Sequence, residues 1–485
     1  MGIQKMRRIL LVSSPKVTDE FDRFLRIPNL GLNSIAANIT APGYEIKVLD
    51  LVVAKNPRRF LSEYIKDYKP FLVGFSAMNF QYKSTLELAQ ITKSIDENII
   101  TVLGGYHSTV AYEEILNSND NKYFDFLIKG EGEITFNSLL INLNNREELQ
   151  GIPGLIYRRG DELIINEPEE LINIDELKPP DRSTRVLTKG FHVFGYKADV
   201  IETSRGCVQH CNFCSIREMY GKSFRKYKTS RVIEDIQDAK KHGAKFIFIT
   251  DDNITLDTKR FNQLCQAIID NNLNSMKYII QASVEGLNRS PELIAAMVKA
   301  GVEIVFLGIE TLNEDGLSVL GKSNQFRKAD AEHIIRELKK NGILVVAGFI
   351  LGHPEDTLET ILENYKYAKR LKPDMCAFNV LTPFPGTEIR QTLLEEDLIT
   401  NKHDYERYDL YLANIKTRNL SRDQIHQLRD QFNVKYPFES RTLLPLALRY
   451  PGYFLKLIPR TLMKERQTFL NFLLQFGKSV LSFRI

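Results

Sequence analysis

Glu202–Thr203–Ser204–Arg205–Gly206–Cys207–Val208–Gln209–His210–Cys211–Asn212–Phe213–Cys214 places three cysteines in a Cys-x3-Cys-x2-Cys spacing on one short segment. Soft thiolate sulfur suits iron–sulfur clusters, whose complete protein ligand set is four cysteines. Three leave one iron open to a substrate or cofactor. A structural zinc site is the alternative. It asks for four Cys or His ligands, usually as two spaced pairs, and only His210 offers itself as a fourth here. A disulfide framework fits poorly: the chain has five cysteines in 485 residues, and no secretory signal is evident at its start. Cys265 and Cys376 lie in apolar runs and read as buried small hydrophobes.

Working outward, the cysteines follow a β-rich run at 199–203 that opens a second α/β series. Further strands are expected at 246–250, 278–282, 304–308, 345–350 and 376–381, with helices between them. Six βα units in succession predict a partial (β/α)6 TIM-type barrel, whose active-site groups belong at the carboxyl ends of the strands. That rule gathers the cysteine loop, Asp251 and Asp252, Ser283 and Glu285, Glu310, Gly352, His353 and Glu355, and Pro383 and Gly386 at one mouth. Carboxylates there suit an ammonium group or ribose hydroxyls. Helix N-capping is the competing role for Asp251 and Asp252, and a structural role competes for His353.

Upstream, strands are expected at 8–13, 45–51, 71–76, 99–104 and 124–129, alternating with helices. This predicts a flavodoxin-like (Rossmann-type) doubly wound parallel sheet, with a ligand beyond the strand ends. Those ends read Gly74–Phe75–Ser76–Ala77–Met78, Gly104–Gly105–Tyr106–His107 and Gly130–Glu131–Gly132–Glu133. Such glycines either make tight βα turns or let a flat ligand approach the backbone. The domain plan is 1–150, a hairpin and linker at 151–195, the barrel at 196–400, and a helical C-terminal region at 401–485.

The last region turns basic and amphipathic. Apolar residues from Leu443 on are interleaved with Arg449, Lys456, Arg460, Lys464, Arg466 and Lys478. Residues 443–485 therefore read either as a peripheral membrane contact or as helices packed on the barrel. The net charge of +4 is too small to imply nucleic-acid binding. No apolar run reaches the roughly 18 residues of a membrane span. A cytoplasmic location is expected, membrane-associated on the cytoplasmic face if the tail meets lipid.

With Phe213 as the aromatic, Cys-x3-Cys-x-aromatic-Cys resembles the signature of the radical S-adenosylmethionine (SAM) enzymes. The resemblance implies that Cys207, Cys211 and Cys214 hold a [4Fe–4S] cluster and that SAM occupies the open iron, to be cleaved to a 5′-deoxyadenosyl radical. It further places Asp251 and Asp252 at the SAM amino group, and Glu310 at its ribose or methionine portion. The 348–352 stretch, from Gly348 to Gly352, falls beside adenine, and Ser283 joins the same cofactor set. The first domain is similar to the cobalamin-binding domain of the B12-dependent branch. Ser76–Ala77–Met78 resembles its Ser-x-Leu motif, and Gly104–Gly105 its Gly-Gly motif. Asp-x-His-x-x-Gly, which supplies a histidine to cobalt in mutases, is missing: 14–31 holds no histidine. The resemblance thus implies cobalamin bound without a protein histidine ligand.

The expected function is that of a class B radical SAM methyltransferase, methylating an unactivated carbon of a small-molecule or lipid-like substrate. A reducing partner such as flavodoxin or ferredoxin is expected. Cobalamin-dependent cyclisation or oxidation without methyl transfer is one rival. A non-catalytic corrinoid-binding sensor is another.

Overall fold

The computed structural model describes residues 6–16, 24–145, 147–160, 162–168, 171–322 and 328–454. The first sheet begins with β1 (Arg7–Ser13), five of whose seven residues are buried. Such a near-continuous apolar run suits a strand covered on both faces. β2 (Leu25–Arg26) leaves this sheet for another. β3 (Tyr44–Asp50), β4 (Leu72–Ser76), β5 (Ile100–Gly104) and β6 (Phe126–Ile128) complete a parallel set in the order β3-β1-β4-β5-β6. This is the flavodoxin-like order with a switch point between β1 and β4. Two apolar clusters, one centred on Leu10, Val73 and Leu103 and the other on Leu11, Val102 and Phe136, cover the two faces.

The predicted hairpin forms as β7 (Leu155–Arg159) and β8 (Glu162–Ile165), but it is no linker. It pairs antiparallel with β6 and extends the first sheet to seven strands. Tyr157 and Ile164 point into the same core as Leu155, so burial recruits the hairpin.

The second sheet holds β9 (His192–Val193), β10 (Tyr196–Ile201), β13 (Phe246–Ile249), β14 (Lys277–Ser283), β15 (Val302–Glu310), β16 (Leu344–Leu351) and β17 (Met375–Val380). From β10 to β17 its six long strands are parallel and adjacent in chain order, as a partial barrel requires. Two antiparallel strands close the other edge: β9 pairs with β10, and β2, from the first domain's part of the chain, pairs with β9. β11 (Ser204–Arg205) and β12 (Arg225–Lys226) form a separate two-stranded ribbon at the base of the cysteine segment.

The helix Leu443–Arg449 and the residues after it settle the fate of the tail's beginning. Leu446 and Tyr450 are buried against Phe194, Phe246, Ile279 and Ile304 at the amino-terminal end of the barrel strands. Tyr450 stacks on Phe194 at 4.3 Å, and its hydroxyl donates to Glu303 at 2.6 Å. The start of the 443–485 stretch therefore packs on the barrel; residues 455–485 lie outside the described residues. Among the described residues no helix is long and apolar enough to cross a membrane.

Candidate functional site

A cavity of about 520 Å³ lies where the strand ends of the first sheet face the barrel mouth. Ser76, Gly104, Gly105, Tyr106 and Glu131 line it from one side; Glu202, Arg205, Tyr220 and Asp252 line it from the other. Much of the remaining wall is apolar, including Leu11, Ile35, Val102 and Phe136.

On the first-domain side the backbone is shaped to be bare. Gly105 has φ of +91°, and an added Cβ would sit 2.9 Å from Ser76 Oγ and 3.0 Å from the Ala77 carbonyl oxygen. No other residue reaches this conformation without strain. The glycine thus lets the β5 turn pack directly on the Ser76–Ala77 turn, which brings both strand ends to the cavity wall. His107, next along, turns away from the cavity. It is buried between Tyr82 and Tyr405, ring centroids 4.1 and 5.1 Å away, and its Nδ1 lies 3.0 Å from Asn79 Oδ1. Burial pushes its pKa down to about 3.

The cysteine segment is pinned at several points. The Asn212 N–H donates to Leu320 O at 3.2 Å and its side-chain amide to Val319 O at 3.0 Å. The Ile389 N–H donates to Asn212 O at 3.1 Å. Gly321, with φ of +74°, lets the 319–322 turn pass against the His210 carbonyl. Burial pushes all three thiols up, that of Cys214 to about 12. Ligation would have to expel those protons. A structural zinc centre needs four ligands, whereas three cysteines can each hold a different iron of a cubane. His210, the alternative fourth ligand, directs Nε2 to Glu388 at 2.9 Å. The donor set thus fits a cluster better than zinc.

The other expected contacts divide. Asp252 faces the cavity, and burial together with the charges of Asp251 and Glu202 pushes its pKa up to about 7. Glu310 stands at a register shift in β15 with φ of +63°, and accepts from Lys322 Nζ at 2.5 Å. A non-glycine residue held there costs about 1–2 kcal/mol. Lys322 also lies 5.7 Å from the Phe213 ring centroid, and its charge favours the Cys211 thiolate. Phe213 itself is half-buried against the barrel core.

Four expected contacts are committed elsewhere. Asp251 accepts from the Thr203 N–H and hydroxyl, both at 2.6 Å, and from the Ser204 hydroxyl at 2.5 Å. Fully buried, it ties down the chain's exit from β10. Ser283 caps the helix Val284–Arg289 through the Gly286 N–H. Gly348 makes room for the Phe306 ring, which an added Cβ would meet at 2.7 Å. Gly352 turns the chain at φ of +91° and donates its N–H to Asp356 at 2.7 Å. None of these four lines the cavity, and neither do Cys207, Cys211, Cys214, Phe213 and Glu310. His353 is fully buried, its Nε2 2.8 Å from Asp356 Oδ1, which favours its structural role.

Sequence reasoning missed the polar network below the cavity. Arg205 donates to Glu131 at 2.6 Å, Glu133 at 3.1 Å, Glu202 at 2.9 Å and the Tyr227 hydroxyl at 3.1 Å. Arg225 donates to both oxygens of Glu131, at 2.8 and 3.0 Å. Burial opposes the charged form of Glu133, but Arg205 and Ser34 outweigh it and hold its pKa below the ordinary value. The one signal in sequence was two acids at a glycine-rich strand end.

The chain matches the Radical SAM superfamily over residues 201–368 and the B12 binding domain over 23–140. An uncharacterized methyltransferase of Pyrococcus horikoshii is 28% identical over 470 residues, 95% of this chain and 99% of that one. The anaerobic magnesium-protoporphyrin IX monomethyl ester cyclase of Cereibacter sphaeroides is 26% identical over 75% of this chain and 59% of its own. The hopanoid C-3 methylase of Methylococcus capsulatus is 29% identical over 81% of this chain and 74% of its own. A solved structure of the radical SAM methyltransferase TsrM from Kitasatospora setae, with cobalamin and [4Fe–4S] cluster bound, shares the fold. Its TM-score is 0.67 at 20% identity, covering 81% of this chain and 78% of that one.

Proposed function

We propose, from the premise that this chain is a radical SAM protein with an N-terminal B12-binding domain, that it is an enzyme methylating an unactivated carbon. The observation carrying this reading is the single cavity onto which both sets of strand ends open. When bound, the cluster with SAM supplies a radical able to take hydrogen from carbon, and cobalamin supplies the methyl group.

The chain's own residues do the rest. Cys207, Cys211 and Cys214 would hold the cluster and leave one iron free. Ser76, Gly104 and Gly105 would seat the corrinoid against bare backbone. Asp252 offers a carboxylate at the mouth for a cationic group, and the Glu310–Lys322 pair steadies the cysteine loop. Tyr106 and Tyr220, ring centroids 6.4 Å apart, meet between the two halves and line the space they share. The apolar wall of Leu11, Ile35, Val102 and Phe136 belongs to the first domain and so to the corrinoid side of the cavity. Reduction of the cluster calls for a one-electron donor. A lipid contact by the basic tail belongs to the same proposal and rests on composition alone.

The likeness to the cyclase favours a second reading, ring closure with the same cofactors and no methyl transfer. Product mass separates the two readings, a gained methylene against lost hydrogen. The primary test is anaerobic reconstitution with iron and sulfide. About four irons per chain and 5′-deoxyadenosine on reduction with SAM are expected. Cys211→Ala should lose both yet still bind hydroxocobalamin. Zinc in place of iron, or no SAM cleavage, would refute the proposal.

A further inference from the structure

The ribbon β11–β12 closes the base of the segment 206–224, which carries all three cysteines. Arg205 and Arg225 are directly opposite each other on it. Like charges at such a cross-strand pair repel, and both side chains are largely buried. One carboxylate resolves the conflict. Glu131, 5% exposed, receives Arg205 on Oε1 and Arg225 on both oxygens. It comes from the other domain, from the turn after β6 that lines the first-domain side of the cavity.

We propose that Glu131 is a positioning residue: by neutralising the facing arginines it shuts the ribbon, and so fixes the cysteine loop relative to the corrinoid-side strand ends. The inference rests on the reading that both domains serve one reaction. Removing the carboxylate leaves two buried guanidinium groups face to face; Arg205 keeps the charges of Glu133 and Glu202 and the Tyr227 hydroxyl, and Arg225 keeps the Ile172 carbonyl but no carboxylate in hydrogen-bond reach. The ribbon then opens, the cysteine loop loosens, and the two mouths lose their fixed separation. Removing one arginine together with the carboxylate takes away the repulsion, so the ribbon closes again.

The test uses the full chain, reconstituted with its cluster, as wild type, Glu131→Gln and the double variant Glu131→Gln/Arg225→Gln. Hydrogen exchange of peptides within 206–224 should be at least about tenfold faster in the single variant, with β13–β16 unchanged, and should return to within about threefold of wild type in the double variant. Exchange within about twofold of wild type in the single variant overturns the proposal. If the single variant loses protection across the barrel as well, the double variant decides alone. Protection of 206–224 there supports the proposal, and any other pattern overturns it.

A second readout reports position instead of order. Hydroxocobalamin is added and reduced to the cob(II) state beside the reduced cluster. The broadening of the cobalt EPR line by the cluster should change in Glu131→Gln and return in the double variant; equal lines in all three overturn the proposal. Should wild type take up no corrinoid, the corrinoid part of the proposed function falls, while the exchange result still decides the role of Glu131.

Discussion

Gly321→Ala should unseat the cysteine loop while sparing the barrel. Alanine at φ of +74° costs about 1–2 kcal/mol in backbone conformation alone. Its Cβ would also overlap the His210 carbonyl oxygen and approach Asn212 Oδ1 to 3.0 Å. The first is backbone of the loop to be displaced, and the second ends a side chain that its own amide tethers to Val319 O. Relief requires residues 210–212 to back away, which breaks the two hydrogen bonds from Asn212 to Leu320 and Val319, about 1 kcal/mol each. The sum, about 3–4 kcal/mol, is two to three decades in the closed-to-open ratio of the loop. Because the loop can open locally, the cost should appear in cluster binding more than in global unfolding. The assay is iron bound per chain at limiting iron, with 5′-deoxyadenosine formed on reduction and a urea melt as companion measurements. The control is Gly160→Ala, which has φ of +63° but nothing within 4 Å of the added carbon, and so carries the conformational cost without the clash. Wild-type iron content and SAM cleavage in Gly321→Ala would show that the 319–322 turn does not hold the loop.

Three further outcomes follow from the geometry. Gly105→Ala, at φ of +91° and with its added carbon 2.9 Å from Ser76 Oγ and 3.0 Å from the Ala77 carbonyl oxygen, should shift this turn of the cavity wall, weaken corrinoid binding about tenfold or more by visible titration and leave iron content unchanged. Arg182→Met removes the cation that binds Asp199 at 3.2 Å, Asp235 at 2.6 Å and Asp238 at 3.1 Å. Breaking a buried pair from one side costs about 3–5 kcal/mol, so its urea midpoint should fall sharply at pH 7. His107 remains neutral in the folded chain down to about pH 3, whereas unfolded it protonates near 6.5. Its contribution is fully present above 6.5 and is lost on acidification by about 1.4 kcal/mol per pH unit until about pH 3. His107→Gln should therefore lose less stability than wild type between pH 6 and pH 4 in urea titrations; parallel curves would contradict the buried neutral ring.

The parallel strands were legible because they are short apolar runs spaced by amphipathic helices, a pattern that local sequence carries. The strand ends were legible for the same reason, and with them the places of Ser76, Gly105 and Asp252 on the cavity wall. What failed depended on partners distant in sequence. β2 and β9 are two residues each, too short for any periodicity. Asp251 sits beside Asp252 and looks equivalent, yet one carboxylate points at the Thr203 and Ser204 donors and the other at the cavity. Nothing local distinguishes them. Glu131 meets Arg205 across 74 residues and Arg225 across 94, so its glycine-flanked setting suggested a ligand edge and not a clasp.

Leu25 and Arg26 pair with Val193 and His192 on the far margin of the second sheet. The two halves are thus interlaced by their own main chain, and the obvious scissor points between them are misleading. A fragment starting after the hairpin would leave the outer rim of β9 without its hydrogen-bonding neighbour, an invitation to stray self-association. Anyone wishing to study the corrinoid half or the iron half in isolation should carry residues 24–26 along with the latter.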